Sequence, residues 1–80
     1  MVESNEKISF YPNPFLNELN IDNVSNYNNV SISDLSGKII FKEKVLNTNI
    51  KLNLSQLQSG TYILILQSDK ADKRILITKF

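Results

Sequence analysis

The apolar residues of this chain recur at every second position, and this spacing constrains the fold more than any other feature. Alternate residues of a β-strand point to the same side of a sheet, so each alternating run predicts a strand with one buried face. Ile and Leu rarely recur at the three- and four-residue spacing of a helix. The runs contain Leu19 and Ile21; Val30 and Ile32; Ile39 and Phe41; Ile50, Leu52 and Leu54; Tyr62, Leu64 and Leu66; and Ile75 and Ile77.

Polar segments separate these runs, at residues 12–14, 23–29, 36–37, 47–49, 58–60 and 69–72. With residues 8–11 counted as an edge strand, about seven short strands follow at intervals of roughly 8–12 residues. The pattern predicts an all-β fold, a small immunoglobulin-like antiparallel β-sandwich. Residues 62–66 are apolar at every position, so we expect a central strand that is at least partly covered on both faces.

Composition limits the classes of function. Eighty residues make one small domain, which buries only about 60–65% of the surface of its unfolded chain. The chain has no Cys and no His, so the usual thiol nucleophile, general base and transition-metal ligands are missing. We therefore expect no enzyme and no cofactor. Nine basic and eight acidic residues are scattered singly, which argues against nucleic-acid binding and against a polybasic membrane anchor. The longest apolar run, residues 62–66, is too short to span a bilayer, so no direct membrane insertion is expected.

Two prolines one residue apart, Pro12 and Pro14, follow the first short apolar run. Proline has no N–H donor and fixes its own φ, and it restricts the residue before it to extended conformations. The segment therefore predicts a rigid strand-switching turn that ends an edge strand. Phe15 or Leu16 is expected to re-enter the core after this turn.

Two other turns carry their own signals. Asp34 can accept hydrogen bonds from N–H groups two or three residues further on, and Gly37 can take positive φ before the next strand, which predicts a hairpin. Residues 54–57 resemble a single tight turn. Gly60 and Tyr62 then begin the most apolar run, as in a tyrosine corner, whose hydroxyl bonds to the backbone a few residues upstream.

The remaining polar clusters are interpreted as solvated turns. Residues 22–29 supply one carboxylate and several Asn side chains, but their spacing matches no calcium loop. Three Asn-x-Ser/Thr sequons, at Asn23, Asn29 and Asn53, decide little in a chain with eleven Asn. Protein recognition is the default class. The alternatives are a surface adhesion or carbohydrate-binding sandwich and a purely structural linker domain; Tyr27 is the one aromatic residue that clearly lies in a polar loop.

Four blocks occur in order along the chain: "YPNP", "VSISDLSGKII", "LNLSQLQSGTYIL" and "KRILITKF". Together they resemble the type A C-terminal sorting domain of type IX secretion, also called the Por secretion system. The resemblance covers about residues 8–80. Residues 1–7 are interpreted as the end of a linker with an engineered start, and residues 12–14 as the point where linker gives way to folded domain.

The resemblance implies a sorting function. A cargo domain is expected on the N-terminal side, and components of the type IX translocon are expected to recognise the domain in the periplasm. A surface sortase of cysteine-protease type would then cleave around or before residues 3–7. The cargo would end at the cell surface or be secreted. The implied partners are thus the translocon, the sortase and the cargo, with no nucleic acid.

The resemblance also implies which residues matter. If Ile75 and Ile77 face the core, then Leu76, Arg74 and Lys79 remain for a partner, which could read the last strand by strand addition. Phe80 departs from the family, many members of which stop near the lysine. The residues that match the family's blocks are Tyr11, Pro12, Asn13 and Pro14; Asp34, Gly37 and Lys38; Gly60 and Tyr62; and Lys73, Arg74 and Lys79.

Overall fold

The computed structural model describes residues 8–80, so the interpretation of residues 1–7 as a linker lies outside the described residues. No helix in the described range is long and apolar enough to cross a membrane. The seven strands predicted from the alternation are confirmed. In chain order they are β1 (Ser9–Tyr11), β2 (Glu18–Asp22), β3 (Asn29–Ser33), β4 (Ile39–Lys44), β5 (Ile50–Asn53), β6 (Gly60–Gln67) and β7 (Asp72–Lys79).

The strands form two antiparallel sheets. One has three strands in the order β1-β2-β5, and the other has four in the order β4-β3-β6-β7. Hairpins join β3 to β4 and β6 to β7, while the remaining connections from β2 onward pass between the sheets. The all-β sandwich prediction is confirmed, and so is the edge position of β1.

The core lies between the two sheets. Its side chains are the inward residues of the alternating runs, since residues two apart share a face. Complete burial of one such side chain stabilises the fold by about 1.5–3 kcal/mol. Phe15 and Val24 join this core from outside the strands. The fully buried cluster is Phe15, Leu19, Ile21, Val24, Val30, Ile32, Leu52, Leu54, Leu64, Leu66 and Ile77.

The proline segment ends edge strand β1 and turns the chain, as predicted, but the strands on either side of it, β1 and β2, belong to the same sheet. Both X-Pro bonds, Tyr11–Pro12 and Asn13–Pro14, are cis. Phe15 then forms a parallel bridge with Lys79 of β7, after which the chain returns to the first sheet as β2. The Phe15 side chain is the one that enters the core. Because β1 already pairs with β2 upstream of the prolines, they do not mark the start of the folded domain, and that expectation is wrong.

Strand β6 is central, between β3 and β7, as predicted. Leu64 and Leu66 point into the core. Ile63 and Ile65 point to the opposite side, where no other strand of residues 8–80 lies over them. Ile65 is nevertheless only 7% exposed.

Candidate recognition strand and its supporting turns

Strand β7 forms one edge of the four-stranded sheet. Its inward residues Ile75 and Ile77 pair with Leu64 and Tyr62 of β6. The two residues that alternate with them, Arg74 and Leu76, point to the outer face of the sheet, where Leu76 is 63% exposed. Lys73, also exposed, precedes them. The last strand thus presents a basic and apolar surface to solvent.

The outward backbone groups of β7 have hydrogen-bond partners only at the C-terminal end of the strand, among residues 8–80. Thr78 N–H donates to Asn13 Oδ1 at 3.1 Å, and Thr78 C=O accepts from Phe15 N–H at 2.9 Å. Both groups therefore point away from β6. Backbone direction alternates along a strand, so the N–H and C=O groups of Arg74 and Leu76 also point away from β6. No other strand of residues 8–80 pairs with them, which leaves an open edge.

Lys79 does not belong to this exposed surface. It is only 9% exposed, and it lies between its pairing partner Gly60 and the bridge to Phe15. The expectation that Lys79 remains available to a partner is wrong. The physical reason is the alternation itself, because residue 79 falls on the same side of the strand as Ile75 and Ile77.

The block that contains Asp34, Gly37 and Lys38 forms the β3–β4 hairpin. Asp34 Oδ1 accepts hydrogen bonds from Ser36 N–H at 3.0 Å, Ser36 Oγ at 2.7 Å and Lys38 N–H at 2.9 Å. These donors, Ser36 Oγ foremost, lower the pKa of the carboxyl. Gly37 has φ of 97°, a region that disfavours other residues. Ser36 N–H and Gly37 N–H, the latter bonded to Asp34 C=O at 3.0 Å, are the expected donors two and three residues on, and Lys38 adds a third, four residues on.

Gly60 and Tyr62 form the corner before β6. The Tyr62 hydroxyl donates to Gln58 C=O at 2.5 Å, which is the hydrogen bond expected of a tyrosine corner. Just upstream, Leu57 N–H donates to Leu54 C=O at 3.1 Å, so residues 54–57 form the predicted tight turn. Gly60 has φ of 150° and pairs with Lys79 at the end of β7. These residues hold the start of the central strand.

The family-matched residues do not form a single cluster. Asn13 is bound to the last strand by the hydrogen bond from Thr78 N–H. These residues lie 65 positions apart, and nothing in the sequence predicted their contact. The 34–38 hairpin instead lies beside β4, at the other edge of the same sheet. Tyr11 faces away from both, since its hydroxyl donates to Asp22 Oδ2 at 3.1 Å, and this hydrogen bond raises the pKa of the phenol.

The exposed aromatic rings differ from those expected. Tyr27 packs partly against the core. Tyr11 and Phe80 are instead 48% and 65% exposed. Phe80 lines a groove of about 620 Å³ beside the proline segment, together with Pro12, Pro14, Leu16, Asn17, Glu18, Asn20, Asn53 and Ser55.

An edge strand that is open at one end, a tyrosine corner and a turn with two cis prolines characterise this small β-sandwich. Residues 9–78 match the family model described as "Secretion system C-terminal sorting domain". The chain belongs to this family of type IX secretion sorting domains. The family is not catalytic, and its members are exported toward the cell surface or secreted. No curated protein matches the chain.

A solved structure supports the fold independently. The chain is similar to part of PorZ from Porphyromonas gingivalis, described as an essential bacterial surface component of the type-IX secretion system. The TM-score is 0.78 at 21% identity, over 91% of this chain and 11% of the PorZ chain. At that identity the likeness shows a shared fold. The chain spans about a tenth of the length of PorZ.

Proposed function

We propose that this domain is the C-terminal address label of an exported protein. It directs the cargo domain on its N-terminal side from the periplasm through the outer-membrane translocon of type IX secretion. A surface sortase then removes the label, and the cargo stays on the surface or is released. Family membership supports the secretion class. The open edge of β7 is the observation that carries the recognition step.

The proposed recognition is strand addition to β7. The outward N–H and C=O groups of Arg74 and Leu76 supply main-chain hydrogen bonds, which give affinity. Their side chains on the outer face, with exposed Lys73 beside them, give specificity. Asn13 and Phe15 occupy the edge at the C-terminal end of β7, so an added strand cannot extend past that end. In this proposal the Asp34–Lys38 hairpin and Tyr62 hold the sheet that presents β7.

The proposed cleavage lies before the sandwich. Ser9 already pairs with Asp22, so a cut beyond Ser9 would break the β1–β2 pairing. A protease must draw the chain into its active-site cleft before it can cleave. A strand that is paired in a sheet is not available for this. The sortase therefore cuts N-terminal to residue 8, in keeping with the position around or before residues 3–7 expected from the resemblance.

A reporter experiment tests the function. A fluorescent protein with a periplasmic signal peptide and this domain at its C-terminus is expressed in a bacterium that has type IX secretion and in a mutant without the translocon. We expect the reporter at the surface or in the medium only in the competent strain, and shorter by roughly the mass of the domain. Full-length reporter in the periplasm of both strains contradicts the proposal.

A proline substitution tests the edge. In Leu76→Pro the lost N–H points away from β6, so the ladder to β6 keeps its hydrogen bonds while the added strand loses a donor. Lys51→Pro is the matched control on edge strand β5 of the other sheet, because Leu54 N–H faces β2 through Asn17 C=O and the N–H of residue 51 therefore faces outward. We expect Leu76→Pro to abolish export and Lys51→Pro to preserve it. If both variants fold and are exported equally, the proposal that a partner adds a strand to β7 is contradicted.

The basic residues are tested separately. Lys73→Glu with Arg74→Glu leaves the core untouched, since both residues are exposed. We expect a folded domain with export reduced at least about tenfold, the effect of losing roughly 1.4 kcal/mol of binding. Lys79 is left unchanged because it is nearly buried. Normal export of the double variant would restrict recognition to the backbone of β7.

A further inference from the structure

The outer face of the four-stranded sheet is apolar at its centre. On β6, Ile63 and Ile65 point outward, opposite Ser33 and Ser31 of β3. Neither isoleucine belongs to the core cluster or packs against it. An antiparallel sheet with one free side normally carries polar residues on that side. This sheet departs from that rule along its central strand.

Neighbouring strands extend the apolar centre. Leu76 of β7 pairs with Ile63, and Ile39 of β4 pairs with Ser33, so all lie on one face. Leu76 is 63% exposed and Ile39 48%. We call Ile39, Ile63, Ile65 and Leu76 the apolar outer face.

The two serines of β3 form the floor between these residues. Ser31 and Ser33 are each 1% exposed, and they pair with Ile65 and Ile63 of β6 on one side and with Lys42 and Ile39 of β4 on the other. Their hydroxyls donate to Gln67 Oε1 at 3.5 Å and to Asp34 C=O at 3.0 Å. Their donors are thus occupied within the protein, and the floor offers a partner mainly apolar contact.

Positive charge borders the apolar outer face. Lys42 pairs with Ser31, Lys44 with Asn29 and Arg74 with Ile65, so three cations lie on this side of the sheet. Asp72, opposite Gln67, is the carboxylate on the same side. The salt bridge in the described part of the chain joins Lys51 to Glu18 on the other sheet, and none there involves these three cations.

We propose that the apolar outer face docks a partner protein whose contact segment carries apolar side chains flanked by Asp or Glu. The centre would bury against the apolar side chains of the partner. The carboxylates would meet Lys42, Lys44 and Arg74, which form no salt bridge with another residue between 8 and 80. Such complementarity steers association and rejects partners with the wrong charge.

Charge also argues against other occupants. Two copies of this face packed together would oppose cation to cation, which disfavours a symmetric dimer. Segments that bind anionic lipid usually carry clusters of about four to eight Lys or Arg. This face has three, in a chain of net charge +1. A protein segment with carboxylates fits both the apolar centre and the modest charge.

The face and the edge of β7 are separable. They share Arg74 and Leu76, but Ile63 and Ile65 lie on β6, one strand away from the edge. The inference therefore holds whether or not a partner adds a strand to β7.

Photocrosslinking tests the inference in the exported reporter. A benzoylphenylalanine replaces Ile63 or Ile65, and the matched control position is Asn20 on the outer face of the three-stranded sheet. Thermal unfolding first establishes that each variant folds. We expect an adduct with one protein at positions 63 and 65 and none at 20, with Asp or Glu beside the crosslinked apolar residues. Lys42→Glu with Lys44→Glu should reduce that adduct at least about fivefold.

The other outcomes overturn the inference. An adduct between two copies, confirmed as a dimer by sedimentation of the purified domain, makes the face a self-interface. Binding to phosphatidylglycerol vesicles that Ile63→Thr with Ile65→Thr abolishes assigns the face to lipid. Equal adducts at positions 20 and 63, or no adduct at position 63 in a reporter that is exported normally, show that no protein docks there. Loss of export in every strain bears on the proposed function instead.

Discussion

The two outer faces of the sandwich differ although the same alternation produces both. On the three-stranded sheet the outward residues are Glu18, Asn20 and Asp22 of β2, with Ser9 and Tyr11 of β1 on one side and Lys51 and Asn53 of β5 on the other. All carry a polar group, including the Tyr11 hydroxyl that donates to Asp22, and Lys51 Nζ lies 4.0 Å from Glu18 Oε1. On the four-stranded sheet the corresponding side carries the apolar outer face with its border of cations.

This difference separates what folding requires from what it does not. The inward residues of both sheets must be apolar, because the core supplies the stability of a domain this small. The outward residues of the three-stranded sheet follow the rule for a side in contact with water. The apolar outer face adds nothing to the core between the sheets, so its composition has another origin, and recognition supplies one.

The largest effect expected separates the two sides of the four-stranded sheet. Leu64→Ala empties a fully buried position and should lower the free energy of unfolding by about 2–5 kcal/mol. Leu76→Ala, at an exposed outward position, should lower it by less than about 1 kcal/mol. Urea unfolding followed by circular dichroism measures both. Similar losses would mean that Leu76 also belongs to a folding core, and the comparison would fail.

A smaller effect compares one tyrosine from each sheet. Tyr62→Phe removes the hydrogen bond to Gln58 C=O at the start of β6 and should cost about 0.5–1.5 kcal/mol. Tyr11→Phe removes a solvent-exposed hydrogen bond to Asp22 and should shift the unfolding midpoint less. Because that bond raises the pKa of Tyr11, Asp22→Asn should bring phenol ionisation to lower pH. An ultraviolet titration that is unchanged in Asp22→Asn contradicts the contact.

The hairpin of the four-stranded sheet should respond to pH. The folded pKa of Asp34 is lowered by its Ser36 and Lys38 donors, so its contribution to stability is present above the ordinary value of 3.8 and lost as pH falls through the folded pKa. Asp34→Asn should therefore be less stable than the wild type at pH 7 and approach it in acid. Urea midpoints measured from pH 7 to pH 2 give the difference. A gap that does not change with pH rules out this role for the charge.

The smallest effect concerns charge on the two outer faces. Lys51→Ala breaks an exposed ion pair on the polar side and should cost no more than about 0.5 kcal/mol, less in high salt. Lys42→Ala removes a cation with no ion-pair partner among residues 8–80 and should leave stability unchanged. Salt-dependent unfolding curves compare them. A larger, salt-sensitive loss for Lys42→Ala would show that the cations stabilise the fold.

Local patterns predicted most of the fold. Period-two alternation depends only on neighbouring residues, so the strands and their inward faces followed from it. The Asp34–Gly37 hairpin and the Tyr62 corner likewise rest on contacts within four residues. The inward direction of Lys79 also followed from alternation, but its charge suggested exposure.

Long-range features were beyond this reasoning. The bond between Asn13 and Thr78 depends on where two distant segments meet. A fully apolar run such as residues 62–66 suggests a strand that is covered on both sides. The sequence does not say whether a further layer of structure covers the outer side of its sheet. The roles of Lys73, Arg74 and the other matched residues in recognition remain predictions that the export experiments test.

The closure of β7 by Asn13 and Phe15 has a consequence for cooperativity. These two residues contact Thr78, Lys79 and Phe80, and the bond from Thr78 to Asn13 spans 65 residues. A domain without β7 would lack Ile77 from the core and leave Phe15 without its bridge. The first and last strands are therefore coupled, and we expect them to be lost together in a single unfolding transition.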